Sequence, residues 1–409
     1  MKHFFIFLSV FLAVYGMPLN GMAQKPGMRD YGIRTGVMKP GPLNAITDVK
    51  GVAVGHVTLI EGDSIRTGVT AIIPHPGNIY REKVPAAFWA GNGYGKLVGT
   101  TQIRELGNIE TPVVLTNTLS VAAGMEGLIT YTLKQEGNEN VQSVNAVVGE
   151  TNDGALNDIR GRHITPDHVL EALSKAHSGP VEEGNVGAGT GTVCFGYKGG
   201  IGTSSRVLPR ELGGYTVGVL VQTNFGGVLQ INGINVGEKL GKYSYKDQLE
   251  AQQNMQRTIP AHAAAIEKKE AIHIPEADGS CMIVIITDAP VNERNLERMA
   301  KRGMMGLART GGIASNGSGD YVIALSVAPE NLLRTGYDQN GRVVPSYTAH
   351  YLHNDQCSPL FMAAIEATEE AILNSLFAAE TMTGKNGRRV EALPVEKVIR
   401  LFPLVKDVE

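Results

Sequence analysis

The chain is poor in several residue types, and each scarcity excludes a class of protein. Its 409 residues hold three cysteines, one tryptophan and only 6% aromatic residues. Cys194, Cys281 and Cys357 are odd in number, lie in apolar or helical stretches and show no C-x-x-C spacing. A disulfide framework and a thiolate metal site are thereby set aside in favour of buried free thiols. Charge of one sign is scarce too, since 37 Lys and Arg against 40 Asp and Glu leave a formal net charge of -3. With no cluster of cations to replace the counterions of a phosphate backbone, no nucleic-acid partner is expected.

Catalytic signatures are also missing. There is no H-E-x-x-H, no G-x-S-x-G and no Walker A loop, and Gly187-Ala188-Gly189-Thr190-Gly191 does not fit G-x-G-x-x-G. Zincin, α/β-hydrolase, P-loop and dinucleotide-binding readings fall away together. The ten histidines are scattered without metal-ligand spacing, so neither a metal nor a cofactor is expected.

What the chain does have is glycine, 50 residues, and 43% hydrophobic content, the mark of a turn-rich but folded protein with a large core. Met1-Lys2-His3, the apolar run Phe4 to Tyr15 and the small residues Gly21 and Ala23 read as a secretory signal over residues 1–23, cut before Gln24. The run is too short for a stable membrane anchor and no cysteine follows it, so the mature chain is expected to be exported, periplasmic or secreted, and unanchored.

Short β-branched runs at Gly51–Leu59, Val69–Pro74, Pro112–Leu119, Val144–Val148, Tyr215–Thr223, Cys281–Thr287 and Tyr321–Val327 predict strands. Thr165 as N-cap with Pro166 behind it predicts a helix to His177; a second is expected from Asn292 to Arg309, and a third from Ser358-Pro359 to near Gly384. The stretch Gly237 to Gly279 is polar, without a strand-like run before Ile272. It reads either as a partly helical insertion or as a mobile segment carrying a processing site.

One junction stands out. Ala277-Asp278-Gly279-Ser280 runs directly into Cys281-Met282-Ile283-Val284-Ile285-Ile286, which places a serine at the mouth of a strand apolar on both faces and therefore rigidly held. Gly279 has no side chain to obstruct attack by the Ser280 hydroxyl on the preceding carbonyl. An N-to-O acyl shift followed by hydrolysis would leave Ser280 with a free α-amine, a general base with a pKa of about 7.7–8.0. A Gly-Ser turn before a strand is the plainer reading of the same residues.

Several blocks resemble the L-aminopeptidase/D-esterase and β-peptidyl aminopeptidase family of self-cleaving serine peptidases. They are Gly41 to Val49, Arg66 to Ile72, Thr116-Asn117-Thr118, Glu183 to Gly187, Lys198 to Thr203, Tyr215 to Gly218 and Gly279-Ser280 with Thr287 to Pro290. The resemblance covers roughly Gly32 to Val327 in family order. It implies an α+β fold, a four-layer αββα sandwich similar to N-terminal-nucleophile hydrolases with different connectivity. It further implies one peptidase domain cut into an α chain, 24–279, and a β chain, 280–409. Ser280 is then the nucleophile, Ser318 and Asp320 its accompanying pair, Asn224 the oxyanion donor and Glu150 the carboxylate facing the substrate ammonium. Asn152 stands where the family commonly has Tyr or Trp, and the 237–279 excursion is longer than the family pattern. The implied substrates are short peptides, aminoacyl amides or esters, and the implied assembly is a homo-oligomer of αβ heterodimers. Two alternatives remain: an acyltransferase with the similar ornithine acetyltransferase fold, or a catalytically degenerate member that binds peptides.

Overall fold

The computed structural model describes residues 25–258, 279–334, 336, 337 and 342–402. The expected signal segment 1–23 and part of the polar excursion, 259–278, lie outside the described residues.

Two sheets face one another. In the first, β1 (Ala53–Glu61) and β2 (Ile65–Ile73) form an antiparallel pair. β4 (Val113–Asn117) pairs with β2 and, in parallel, with β5 (Val147–Thr151), and the short strand Leu97–Val98 closes the edge. In the second, the order is β6 (Ile201–Val207), β7 (Thr216–Asn224), β8 (Ser280–Thr287), β9 (Gly319–Ser326) and β3 (Glu82–Gly93). Parallel strands cannot be joined by a tight turn, and the β8 to β9 connection accordingly carries a helix, α4 (Glu293–Arg309), capped by the Asn292 side chain.

The apolar residues sort into layers. Met282, Val284 and Ile286 of β8 pack with Leu115, Val147 and Ile72 between the sheets. Cys281, Ile283 and Ile285 point the other way, against Met299 and Leu307 of α4 and Ala364 and Leu373 of α5 (Ser358–Phe377). On the far side, Val69, Val114 and Val148 pack with Leu128 of α1 (Val121–Leu133) and Val169 of α2 (Pro166–Ser174). The result is the expected helix, sheet, sheet, helix stack, in which β8 is covered on both faces as its sequence implied. All three cysteines are buried and free.

The strand and helix expectations hold to within a few residues, with one clear shortening. Helix α5 ends at Phe377 rather than near Gly384, because Asn185 bonds both backbone groups of Glu380 and holds that residue outside the helix. The excursion contains helix α3 (Lys246–Thr258) before the described residues stop. Among the described residues no helix is long and apolar enough to cross a membrane.

Strand β6 is polar yet buried, and it is held by charge. Fully buried Arg206 donates to Glu366 at 3.2 Å and to Glu370 at 2.7 Å on α5, while Arg29 reaches the same Glu370 from the N-terminal segment. Asn44 adds a further donor to Glu370. Truncating one member of a buried pair leaves the other charge uncompensated. Glu370→Ala is therefore expected to destabilise the fold by about 3–5 kcal/mol, read as a fall in the chemical-denaturation midpoint. A change below 1 kcal/mol would show that the network contributes little.

Candidate active site

Register fixes the site. Ser280, the first residue of β8, lies opposite Asn224 on β7 and opposite Gly319 on β9. Three of the residues of interest thus form a row across the sheet at one edge of the inter-sheet space. The Gly319 N–H points at Ser280 Oγ at 3.2 Å and at the Gly279 carbonyl oxygen at 3.1 Å. One backbone donor is shared by the hydroxyl and by the carbonyl that the hydroxyl would attack.

Gly279 is required here by space. A β-carbon on it would sit 2.7 Å from Phe225 Cα and 2.9 Å from the Asn224 carbonyl oxygen, distances no backbone relaxes cheaply. Asn224 is pinned at both ends of its amide: Oδ1 accepts from Val193 N at 2.9 Å, and Nδ2 donates to the Asn152 carbonyl at 3.0 Å. One of its two amide hydrogens is left over, the geometry an oxyanion donor needs.

Ser318 and Asp320 are buried at the adjoining end of β9. Strand alternation puts Asp320 on the face of Val322 and Ala324, with Cys281 as its register partner, so it does not share the face of Ser280. No hydrogen bond of standard geometry reaches Ser318 Oγ or either Asp320 oxygen. Burial pushes the Asp320 pKa up to about 6, although the Ser318 hydroxyl and the Cys281 N–H lie near enough to favour the charged form. The 315–318 loop is held from β3, where the Asn92 amide donates to the Ser315 carbonyl at 2.9 Å and to that of Ser318. Opposite the Asp320–Tyr321 step the register shifts by one residue, leaving Gly91 of β3 as the extra residue of a bulge.

Glu150 comes from the other sheet, 3% exposed. It accepts from Lys96 N at 2.9 Å and from the Thr118 hydroxyl, with Lys96 Nζ 3.8 Å away. Gly95 is the wedge that brings it to the row: a β-carbon there would touch Glu150 Oε1 at 3.1 Å and Gly319 Cα at 3.2 Å. Tyr321 donates its hydroxyl to the Gly95 carbonyl at 3.0 Å and closes this side. Asn152 is exposed at the opposite, β7 side; its side chain turns back to accept from Gly154 N, and only its carbonyl touches Asn224. Gln222 ties the two sheets just below, donating to Thr116 O, Thr151 Oγ1 and Ala188 O.

The structure thus gathers Ser280, Asn224, Glu150, Asn152, Ser318 and Asp320 around one edge of the sandwich. Sequence reasoning missed Gly319, Gly95, Asn92, Tyr321 and Gln222. No signal pointed to the first two, since their contribution is a backbone N–H and an absent side chain. Among the described residues no group of side chains is placed to hold a metal ion.

Residues 44–390 match peptidase family S58. The chain belongs to that family and is a hydrolase. It is 42% identical over 396 residues, 93% of both chains, to the β-peptidyl aminopeptidase BapA of Sphingosinicella microcystinivorans. A Burkholderia sp. β-aminopeptidase superposes with a TM-score of 0.79 at 39% identity, covering 92% of this chain and 98% of that one. The L-aminopeptidase D-Ala-esterase/amidase of Ochrobactrum anthropi superposes with a TM-score of 0.77 at 34% identity over 91% and 97% of the two chains. That enzyme is described as a prototype for the serine aminopeptidases and a new variant among the Ntn hydrolase fold. The α+β architecture found here is that variant.

The carboxyl of Asp320 titrates in an unfavourable place, which sets a pH dependence. Its folded pKa of about 6 lies above the ordinary aspartate value of 3.8, so the folded state binds the extra proton. Stability falls as pH rises through this window, and the cost is fully present above it. Asp320→Asn is expected to raise the unfolding free energy at pH 7 by roughly 1–3 kcal/mol, read from chemical denaturation, and to give little gain at pH 3.5. An equal gain at both pH values would show that the carboxyl's charge is not responsible.

Proposed function

We propose that the protein is a self-processing serine aminopeptidase acting on short peptides, amides or esters through an acyl-enzyme on Ser280. The observation that carries the reading is the shared Gly319 donor, which aligns the Ser280 hydroxyl with the Gly279 carbonyl. In processing, Ser280 Oγ attacks the Gly279 carbonyl carbon while the oxyanion draws on the Gly319 N–H. The hydroxyl proton passes to the Ser280 nitrogen as the C–N bond breaks, leaving an ester. Breaking that bond frees the α-amine, and water then hydrolyses the ester, releasing the Gly279 carboxylate and restoring the Ser280 hydroxyl. The protein then has a base, a nucleophile and an oxyanion donor on adjacent strands.

For a substrate, the Ser280 amine takes the Oγ proton as Oγ attacks the N-terminal residue's carbonyl. The remaining Asn224 hydrogen serves the oxyanion, and the proton returns to the departing amine. Glu150, with a buried carboxylate facing the row, receives the substrate's α-ammonium. Ser318 and Asp320, whose oxygens lie unpaired beside the start of β8, stabilise the ammonium that Ser280 carries after the cut. The acyltransferase alternative has lost its support, because the chain falls in a peptidase family.

By the same reading the mature protein starts at Gln24, is exported, and consists of an α chain, 24–279, and a β chain, 280–409, several such pairs assembling together. Exposed Val343, Tyr347 and Tyr351 favour assembly, as apolar side chains seeking cover. Light scattering giving the mass of a single pair would exclude it.

Denaturing electrophoresis of purified protein should show two bands, the smaller beginning Ser-Cys-Met-Ile-Val. Ser280→Ala should give one uncut, inactive chain. Active wild-type protein running as one intact chain would overturn the mechanism.

Glu150→Gln should lower kcat/KM for peptides with a free amino terminus by roughly 10- to 100-fold, the loss of one charge-assisted contact, and spare N-acetylated esters. Equal losses on both would assign Glu150 a structural role instead.

A further inference from the structure

The cleft beside Asn224 holds charge that the reaction above does not use. It encloses about 630 Å³, room for a small ligand. Its inner wall is Asn152, Asn224 and Phe225, with Phe225 packed edge-on against Phe195 at 5.0 Å between ring centroids. Lys242 and Arg388 complete it. Neither forms an ion pair with any carboxylate among the described residues. Lys242 is half-buried with Nζ 4.3 Å above the Tyr197 ring. Burial lowers its pKa, and exposed Glu391 nearby acts in the opposite direction. Arg388 is exposed and has no side-chain hydrogen bond among the described residues. Two cations that form no ion pair among the described residues thus share a cleft walled by two asparagines and a phenylalanine.

Their position relative to the nucleophile gives them meaning. Across the sheet the order is Asn224 on β7, Ser280 on β8 and Gly319 on β9. Glu150 adjoins Gly319 by way of Gly95, whereas the cationic cleft opens from Asn224. A negative group and two positive groups therefore flank Ser280 on opposite sides. A short peptide has the matching polarity, with an ammonium at one end, a carboxylate at the other and the first peptide bond between them.

We infer that this cleft is the leaving-group subsite and that Lys242 and Arg388 receive the C-terminal carboxylate of di- and tripeptide substrates. The inference rests on the aminopeptidase reading and adds to it a selectivity for short peptides with a free carboxyl end. Charge-assisted contacts of this kind favour the free acid over its C-terminal amide, and partial exposure makes the preference salt-sensitive.

The test compares one tripeptide as free acid and as C-terminal amide, alongside an aminoacyl anilide that has no carboxylate. Wild-type protein should show kcat/KM about tenfold higher on the acid than on the amide, through KM, with the ratio shrinking as salt is added. In the double variant Lys242→Met with Arg388→Gln the ratio should fall to about one, and in Lys242→Glu with Arg388→Glu the amide should become the better substrate. A merely structural loss would slow acid and amide alike and leave the ratio unchanged, which would overturn the inference. So would equal wild-type rates on acid and amide. If the anilide is cleaved but the ratio is one, only the carboxylate subsite fails. If none of the three substrates is cleaved, the aminopeptidase reading fails and the subsite with it.

Discussion

Everything at the site depends on the immobility of β8. Its two faces are buried in two different cores, one against the opposing sheet and one against helices α4 and α5. Its two edges are bonded along their whole length to β7 and β9. A strand fixed on four sides cannot slide by one residue without turning every apolar side chain to the wrong core. The first residue of that strand inherits the constraint, so Ser280 is placed to the accuracy of the sheet rather than of a loop. Asn224 and Gly319 are its register partners and are fixed by the same bonds.

Given that fixed row, the neighbouring positions have to approach backbone to backbone. Gly279 lies against Phe225 at a separation that leaves no room for a β-carbon, and Gly95 lies against Gly319 where one would fit only tightly. The loss of side chains at these points lets the Gly319 N–H reach the Gly279 carbonyl and lets Glu150, carried by the other sheet, approach the row that holds Ser280. The carboxyls show what this closeness costs. Glu150 has the Lys96 backbone N–H and the Thr118 hydroxyl to satisfy it, whereas at Asp320 burial outweighs the nearby Ser318 hydroxyl and Cys281 N–H and pushes the group toward the neutral form. A group held at that cost, beside the start of β8, is the kind of residue that chemistry rather than stability retains.

The sequence revealed what local pattern encodes. Apolar residues on both alternating faces marked β8 as central, and Thr165-Pro166 and Asn292 marked helix starts that the structure places at the same residues. What stayed hidden depends on distant partners. Strand β6 reads as polar because Ser205 and Arg206 are compensated by Asp48, Glu366 and Glu370, residues far off in the chain. Strand β3, interrupted by Pro85, Gly91 and Gly93, has no clean alternation, yet it is long and pairs with β9 from Ala86 to Gly93 around a bulge at Gly91. At the site, the Gly-Ser junction was legible as chemistry. Ser318, Asp320, Asn224 and Glu150 were reached only through resemblance, because their convergence is a matter of strand register across two sheets.

The same packing explains how such a chain could survive a break next to its most constrained strand. Downstream of Ser280, β8, α4, β9 and α5 form a continuous unit bonded to β7 on one side and β3 on the other. Upstream, Arg29 and Arg206 belong to the other part of the chain and are tied to Glu370 and Glu366 of α5. A cut between Gly279 and Ser280 severs none of these contacts. The hydrophobic cores and the buried ion network both span it, so the covalent bond there adds little that burial does not already supply. It can therefore be spent on making a nucleophile.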